Sequence, residues 1–443
     1  MKYLYILLIT ILFSDYKVSE YTNIINITVL FGLILISFTN WKKIELYSFQ
    51  KQTILSKLFI IFLILLFISY LRSNIDSSSV TYSYYKIIII IIMIFATLSV
   101  IFELVKQDDK KNVDDEKLFF FFITIPITFI VSNYIFELLS IDIFDYKKNY
   151  PQIGFSEMLR SLFGLEIQRL PLPLTSGVNN YGSFLGASAI ISVTFYSTTK
   201  IKKFKKYSLI FFILSIFGLL ILDMRSSLLA IIFIVICNRF LKDLNHLKIT
   251  GLFISFISFL PILLVLTSFL VTNSQYLDFL SRNSEDLATG NNRNILWALS
   301  LNELISFKMN HLIGFGEFGQ VGSKVSSLWA KDFSIFSNSE YVSTHNILLQ
   351  LILDIGYIGL FVYYTLIIVA SRTIRKMYIT TKNRNLLVLQ NFIFYFAFVG
   401  GTESLNYHNA TFWMFIFTFV IIIYLNKKMS TNHQLFQTEG IKS

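Results

Sequence analysis

The chain has 443 residues, 54% of them hydrophobic and only 15% charged, against about 25% in a soluble domain, and its mean hydropathy is +0.63. This composition reads as an all-α, polytopic integral membrane protein and excludes secreted, disordered and nucleic-acid-binding classes; the net charge of +11 therefore needs a topological reading first. A single cysteine, Cys237 inside an apolar run, rules out a disulfide framework and any multi-cysteine metal site.

Apolar runs bounded by charged or polar clusters predict spans near 2–14, 23–39, 57–71, 86–105, 118–139, 181–198, 207–223, 226–241, 249–271, 345–370, 387–401 and 410–425. That makes about twelve, in a single transmembrane domain of residues 1–443. The first looks like the apolar core of a signal peptide, but Ser14, Asp15 and Tyr16 follow it where a small-residue cleavage site would stand, so an uncleaved helix is expected. Lys and Arg set the orientation, because cytoplasmic loops retain them. With the N-terminus inside, the clusters Lys42 to Lys57, Lys106 to Lys117, Lys200 to Lys206, Arg239 to Lys248, Arg372 to Arg384 and Lys427 to Lys442 all fall inside; with Lys2 they hold 25 of the 38 basic residues. Both termini are thus expected in the cytoplasm, and the surplus charge calls for no nucleic-acid partner. Two outer segments are too long for simple connectors, 140–180 and 272–344. Within the second, Asn294 to Phe307 places Ile295, Leu296, Leu299, Leu301, Leu304 and Ile305 at helical spacing, which predicts a helix on the outer membrane interface.

Several polar residues fall at the outer ends of these spans. Arg225, in Asp223-Met224-Arg225-Ser226-Ser227, joins two apolar runs with almost nothing between them, so its guanidinium belongs at the membrane boundary. There it either snorkels beside Asp223 or faces an anionic group. Arg293 opens the interfacial segment. Arg169 precedes a Pro-, Gly- and Asn-rich stretch ending in Asn179, Asn180 and Gly182, expected as irregular backbone lining a cavity. His345, in Ser343-Thr344-His345-Asn346, opens the tenth span and could accept a proton; Glu403, in Gly400-Gly401-Thr402-Glu403 near His408, competes for that role. Arginine forks bind pyrophosphate oxygens bidentately and stay ionised. No outer DxD pair, no His/Cys cluster of metal spacing and no Gly-rich phosphate loop is present, so neither a metal, a cofactor nor ATP-driven pumping is expected.

Three stretches carry a resemblance to a known family: Asn291-Asn292-Arg293-Asn294-Ile295-Leu296-Trp297; Gly314-Phe315-Gly316-Glu317-Phe318-Gly319; and Thr344-His345-Asn346 running on to Asp354-Ile355-Gly356-Tyr357-Ile358-Gly359. Together they resemble the O-antigen polymerase and O-antigen ligase superfamily, over roughly residues 165–425. The Arg225-Ser226-Ser227 turn is similar to a further family landmark, although Met224 before it and the lack of a glycine soon after Ser227 depart from the pattern.

The resemblance implies a membrane glycosyltransferase of the C type (GT-C-like), multi-pass in the plasma (inner) membrane, acting on its outer face on saccharide carried by undecaprenyl pyrophosphate. A polymerase would add it to another lipid-linked repeat unit of O-antigen or capsule, with a chain-length regulator as a possible partner; a ligase would add it to the lipid A core. Arg169, Arg225, Arg293 and His345 are the positions that match the family's basic residues and histidine. On this reading Arg225 and Arg293 hold the donor pyrophosphate, and His345 deprotonates the acceptor for displacement with inversion. Arg169, Asn179 and Asn180 line the saccharide pocket or brace the loop, and Glu403 contacts substrate or competes with His345 as the base. A flippase for the same lipid-linked saccharide is the rival; one-sided boundary cations and the absence of an internal repeat speak against it.

Overall fold

The computed structural model describes residues 1–14, 22–49, 52–73, 80–106, 116–141, 178–257, 293–331, 339–403, 405 and 410–439, with 156, 159–160, 164–167 and 173–174. Among these residues there is no strand, in keeping with an all-α chain. The helices are α1 (Lys2–Phe13), α2 (Thr22–Phe38), α3 (Trp41–Phe49), α4 (Ile54–Leu71), α5 (Val80–Lys106), α6 (Glu116–Leu138), α7 (Val178–Thr198), α8 (Lys202–Leu222), α9 (Arg225–Phe240) and α10 (Asp243–Ile257). After α11 (Arg293–Ile305) come three single turns, α12 (Asn310–Ile313), α13 (Gly319–Gly322) and α14 (Ser326–Trp329), and then α15 (Ile347–Thr381), α16 (Leu386–Gly400) and α17 (Ala410–Glu439).

Every apolar run predicted as a span coincides, in whole or in part, with one of these helices. Among the described residues, six are long and apolar enough to cross a membrane: Ile54–Leu71, Tyr85–Leu104, Glu116–Leu138, Lys202–Leu222, Ile347–Thr381 and Thr411–Met429. Lys2–Phe13, Ile24–Phe38 and Leu386–Gly400 are apolar but shorter than the roughly 20 residues that a hydrocarbon core of about 30 Å requires. Length and hydropathy therefore support a polytopic membrane protein without carrying the count of twelve. The exposed Ile60, Ile61, Ile64 and Ile68 of α4 suit a helix with one face toward lipid.

Helix α7 is the hub of the bundle, against α8, α9 and α16. Its small residues explain why. A Cβ on Gly186 would lie 2.2 Å from Tyr395 Oη and 2.7 Å from Ser227 Cβ, so α9 and α16 approach at a distance only glycine permits. Two hydrogen bonds seal the crossing: Ser227 Oγ lies 2.8 Å from Tyr395 Oη, which donates to the Ser183 carbonyl at 2.6 Å.

The Lys- and Arg-rich connections gather at one end of the bundle. The Glu116 carboxylate at the start of α6 accepts from Thr199 Oγ1 and the Lys200 amide, Thr198 donates to Asn385, and Arg384 forks onto Asp243 at 2.9 and 3.1 Å. At the other end α15 is broken. Gly356 (φ 74°, ψ −177°) interrupts its ladder, and the carbonyls of Leu353 and Asp354 accept instead from Phe315 and Gly316 N–H at 2.7 and 3.1 Å. The Gly-aromatic-Gly stretch is thus the partner of a helix break, and Gly314 and Gly319 press so closely on residues 353–355 that a Cβ would collide with backbone. On the short first arm of α15 sits a second core of Leu296, Trp297, Leu304, Val325, Trp329, Leu349, Ile352 and Leu353. The helix predicted for the membrane interface forms as α11, but it turns much of its apolar face onto this arm, leaving Ile305 exposed.

Candidate functional site

His345 stands at the centre of a tightly held corner. Its φ of +48° is left-handed, a conformation that costs a non-glycine residue about 1 kcal/mol or more and that histidine adopts more readily than most. Both neighbours pin it there. The Thr344 amide donates to Gln350 Oε1 at 3.2 Å and its hydroxyl to the Asn346 carbonyl at 2.9 Å, while its own carbonyl accepts from Trp297 Nε1 at 2.9 Å. Asn346 caps α15, its Oδ1 accepting from the Leu348 and Leu349 amides, and its Nδ2 donates to the Gly401 carbonyl at 3.2 Å. Strain held in place by this many bonds marks a functional position more often than an accident of packing.

The tight approach of α16 to α15, where a Cβ on Gly400 would lie 2.7 Å from Ile347, delivers Glu403 to that corner. Its Oε2 lies 3.4 Å from His345 Nδ1, a long contact, and its Oε1 accepts from Arg293 Nη2 at 2.7 Å. Arg293 Nη1 donates to the Thr402 carbonyl at 2.6 Å. Burial pushes the Glu403 carboxyl up, but the Arg293 charge and the His345 contact outweigh burial and hold it below the ordinary carboxylate value. Arg293 and Trp297 are four residues apart on α11, hence on one face: the first grips Thr402 and Glu403, the second Thr344, so one helix clamps both sides of His345.

Of the residues singled out from sequence, the structure brings Arg293, His345 and Glu403 together and sets Arg225 apart from them. Arg225 opens α9, with Nε 3.2 Å from Asp223 Oδ1, and its buried Nη1 has no hydrogen-bond partner among the described residues. It is linked to the site through α9, where Ser227 meets Tyr395, two turns before Glu403 on α16. Asn179 and Asn180 lie in the first turn of α7, so the irregular backbone expected there is already helical by Val178. Asn179 offers its carbonyl to Ser183 Oγ, and Asn180 is solvent-exposed. Arg169, residues 258–271 of the ninth predicted span, and residues 272–292 and 332–338 of the long outer segment lie outside the described residues.

Sequence reasoning passed over the support beneath His345. Gln350 Nε2 donates to Gln320 Oε1 at 2.7 Å and to Asp354 Oδ1 at 2.9 Å, and the same carboxylate oxygen accepts from the Gly319 amide at 2.8 Å. Gln350 and Asp354 are both about 1% exposed. Their signal was available: two polar residues four apart inside an apolar run must find buried partners. Among the described residues, no group of three or more His, Cys, Asp or Glu could hold a metal ion.

The arrangement thus offers a carboxylate-backed imidazole braced by Arg293, with Arg225 set apart from it and keeping one buried guanidinium nitrogen without a hydrogen-bond partner among the described residues. No curated protein matches the chain. Residues 210–364, which include Arg225, Arg293, His345 and the broken helix, match the family model described as O-antigen ligase, and this supports the resemblance to the O-antigen polymerase and ligase superfamily.

Proposed function

We propose that this protein is an inverting membrane glycosyltransferase that polymerises oligosaccharide repeat units carried on undecaprenyl pyrophosphate, with His345 as general base. The observation that carries the reading is the His345 corner: a strained residue locked from both sides, with a carboxylate behind Nδ1. Glu403 favours the tautomer with the proton on Nδ1, which leaves the Nε2 lone pair for the acceptor hydroxyl. That oxygen bonds to the anomeric carbon of the donor. The bond from this carbon to the pyrophosphate oxygen breaks, undecaprenyl pyrophosphate departs with the electron pair, and Nε2 keeps the hydroxyl proton. The departing negative charge needs a cation. Arg293 has both Nη atoms engaged by Glu403 and Thr402, so it positions the base, and Arg225, whose Nη1 is unanswered among the described residues, is the better pyrophosphate ligand.

In this reading the short apolar helices also cross the membrane, giving about twelve spans, with both termini cytoplasmic and the site on the outer face of the plasma membrane. The excess of Lys and Arg on the connections that meet at the opposite end of the bundle supports that orientation. Arginine-held pyrophosphate predicts turnover in the presence of a chelator. The Leu170-Pro171-Leu172-Pro173-Leu174-Thr175-Ser176-Gly177 segment favours a polymerase; the description of the matching family keeps a ligase as the second reading. Surface polysaccharide from a deletion strain separates them. A single repeat capping the lipid means that a polymerase was lost, whereas accumulated unattached polymer means that a ligase was lost.

A further inference from the structure

The outer end of α4 carries polar groups that the site above does not use. Arg72 caps this helix, and its backbone is pressed against the Gly-aromatic-Gly stretch: a Cβ on Gly316 would come within 2.0 Å of the Arg72 carbonyl, and the Glu317 amide donates to the Ser69 carbonyl at 2.9 Å. Lys86 from α5 is buried here in an ion pair with Glu317, its ammonium over the Tyr70 ring. Glu317 is thus paired with Lys86, and the Arg72 guanidinium is not part of that pair. Arg72 Nη1, Ser69 Oγ and Ser73 Oγ are all buried and have no hydrogen-bond partner among the described residues. Ser69 and Arg72, three apart, share a helix face, and Ser73 follows directly.

A guanidinium nitrogen and two hydroxyls, all buried and without a hydrogen-bond partner among the described residues, call for a ligand that is anionic and rich in acceptor oxygens. Phosphate chemistry fits. The place suits a substrate too: Gly316 bonds to Asp354 at one end of the short arm of α15 and His345 stands at the other, nine residues or about 13 Å away. A polymerase of lipid-linked repeats must hold two pyrophosphates, the donor's and the acceptor's, and Arg225 provides for one. We propose that Arg72, with Ser69 and Ser73, is the second pyrophosphate subsite and takes the lipid-linked acceptor. This rests on the polymerase reading.

The test uses the full chain in nanodiscs of phosphatidylcholine and a donor whose non-reducing hydroxyl is blocked, so that it cannot serve as acceptor. Two acceptors are compared, the repeat unit on undecaprenyl pyrophosphate and the same oligosaccharide with a free reducing end. Arg72→Gln should raise KM for the lipid-linked acceptor about tenfold or more, leaving kcat, the donor KM and transfer to the free oligosaccharide unchanged. Arg72→Lys should fall between. Ser73→Ala, a milder change, should raise the same KM several-fold. An unchanged KM in Arg72→Gln, or an equal loss with both acceptors, overturns the subsite. Added phosphatidylglycerol distinguishes the sources of phosphate: if Arg72→Gln alters only inhibition by that lipid and not the acceptor KM, the site takes a phospholipid headgroup and the proposal fails. Failure of the wild type itself to use any lipid-linked acceptor would instead overturn the polymerase reading.

Discussion

Glu403→Gln removes one charge and almost no volume from the middle of the site. The carboxylate accepts a 2.7 Å bond from Arg293 and backs His345 at 3.4 Å, and the two side chains of the ion pair are 8% and 20% exposed. A hydrogen bond between charged groups contributes about 1.5–3 kcal/mol, and partial exposure of Arg293 discounts the pair toward the lower end, so a stability loss of roughly 2 kcal/mol is expected. The effect on chemistry should be larger. The amide cannot hold the imidazole by charge, and its NH₂ group favours the opposite tautomer; losing the carboxylate behind a catalytic histidine costs up to ~10⁴ in turnover. The contact here is long, so a fall in kcat of about 10²- to 10³-fold is expected, with little change in donor KM. Initial rates of repeat-unit elongation by purified protein, beside a thermal melt, read both quantities. Elongation within threefold of wild type would refute the claim that Glu403 orients the base.

The depressed Glu403 carboxyl fixes the sign of a pH effect: its ion pair contributes stability above the unfolded carboxylate pKa of about 4.3 and loses it as pH falls through the lower folded value. The Tm difference between wild type and Glu403→Gln should therefore be full at neutral pH and close only at the acid extreme; a constant difference would contradict it. Gly316→Ala puts a Cβ about 2.0 Å from the Arg72 carbonyl at φ +95°, and should lower stability by about 2–3 kcal/mol or more in a thermal melt. Gly164→Ala, at φ +67° in open space, should cost about 1 kcal/mol, and equal melts for the two would show that the contact with α4 is unimportant. Cysteines placed near Asp76, Ser284 and Glu403 should label from outside whole cells and those near Lys203 and Lys376 should not; outside labelling near Lys203 would reverse the orientation.

Helix positions were legible in the chain because burial in lipid demands long apolar runs, and the positions of α4, α5, α6 and α8 follow from that alone. Crossing number was not, because α1 and α16 are too short to declare themselves by length. The pairing of His345 with Arg293 and Glu403 was half legible. Each residue stands out as a polar group at the end of an apolar run, but only packing shows that Arg293 spends its fork on Glu403 and Thr402. Arg225 and His345 read alike in sequence, yet among the described residues one keeps an unanswered nitrogen and the other a carboxylate partner. The break at Gly356 was hidden for a different reason: its freed carbonyls are satisfied by residues some 40 positions earlier, a relation no local pattern encodes.

The central claim is that His345 is the base, and the most direct measurement compares elongation of undecaprenyl-pyrophosphate-linked repeats by purified wild type, His345→Ala and Glu403→Gln at equal donor binding. The account predicts a polymer ladder for wild type, a loss of about 10²–10⁴-fold in His345→Ala with the fold and donor binding retained, and a smaller loss in Glu403→Gln. A dead Glu403→Gln beside a His345→Ala protein that still makes polymer of near-normal length would contradict it and move the base to Glu403.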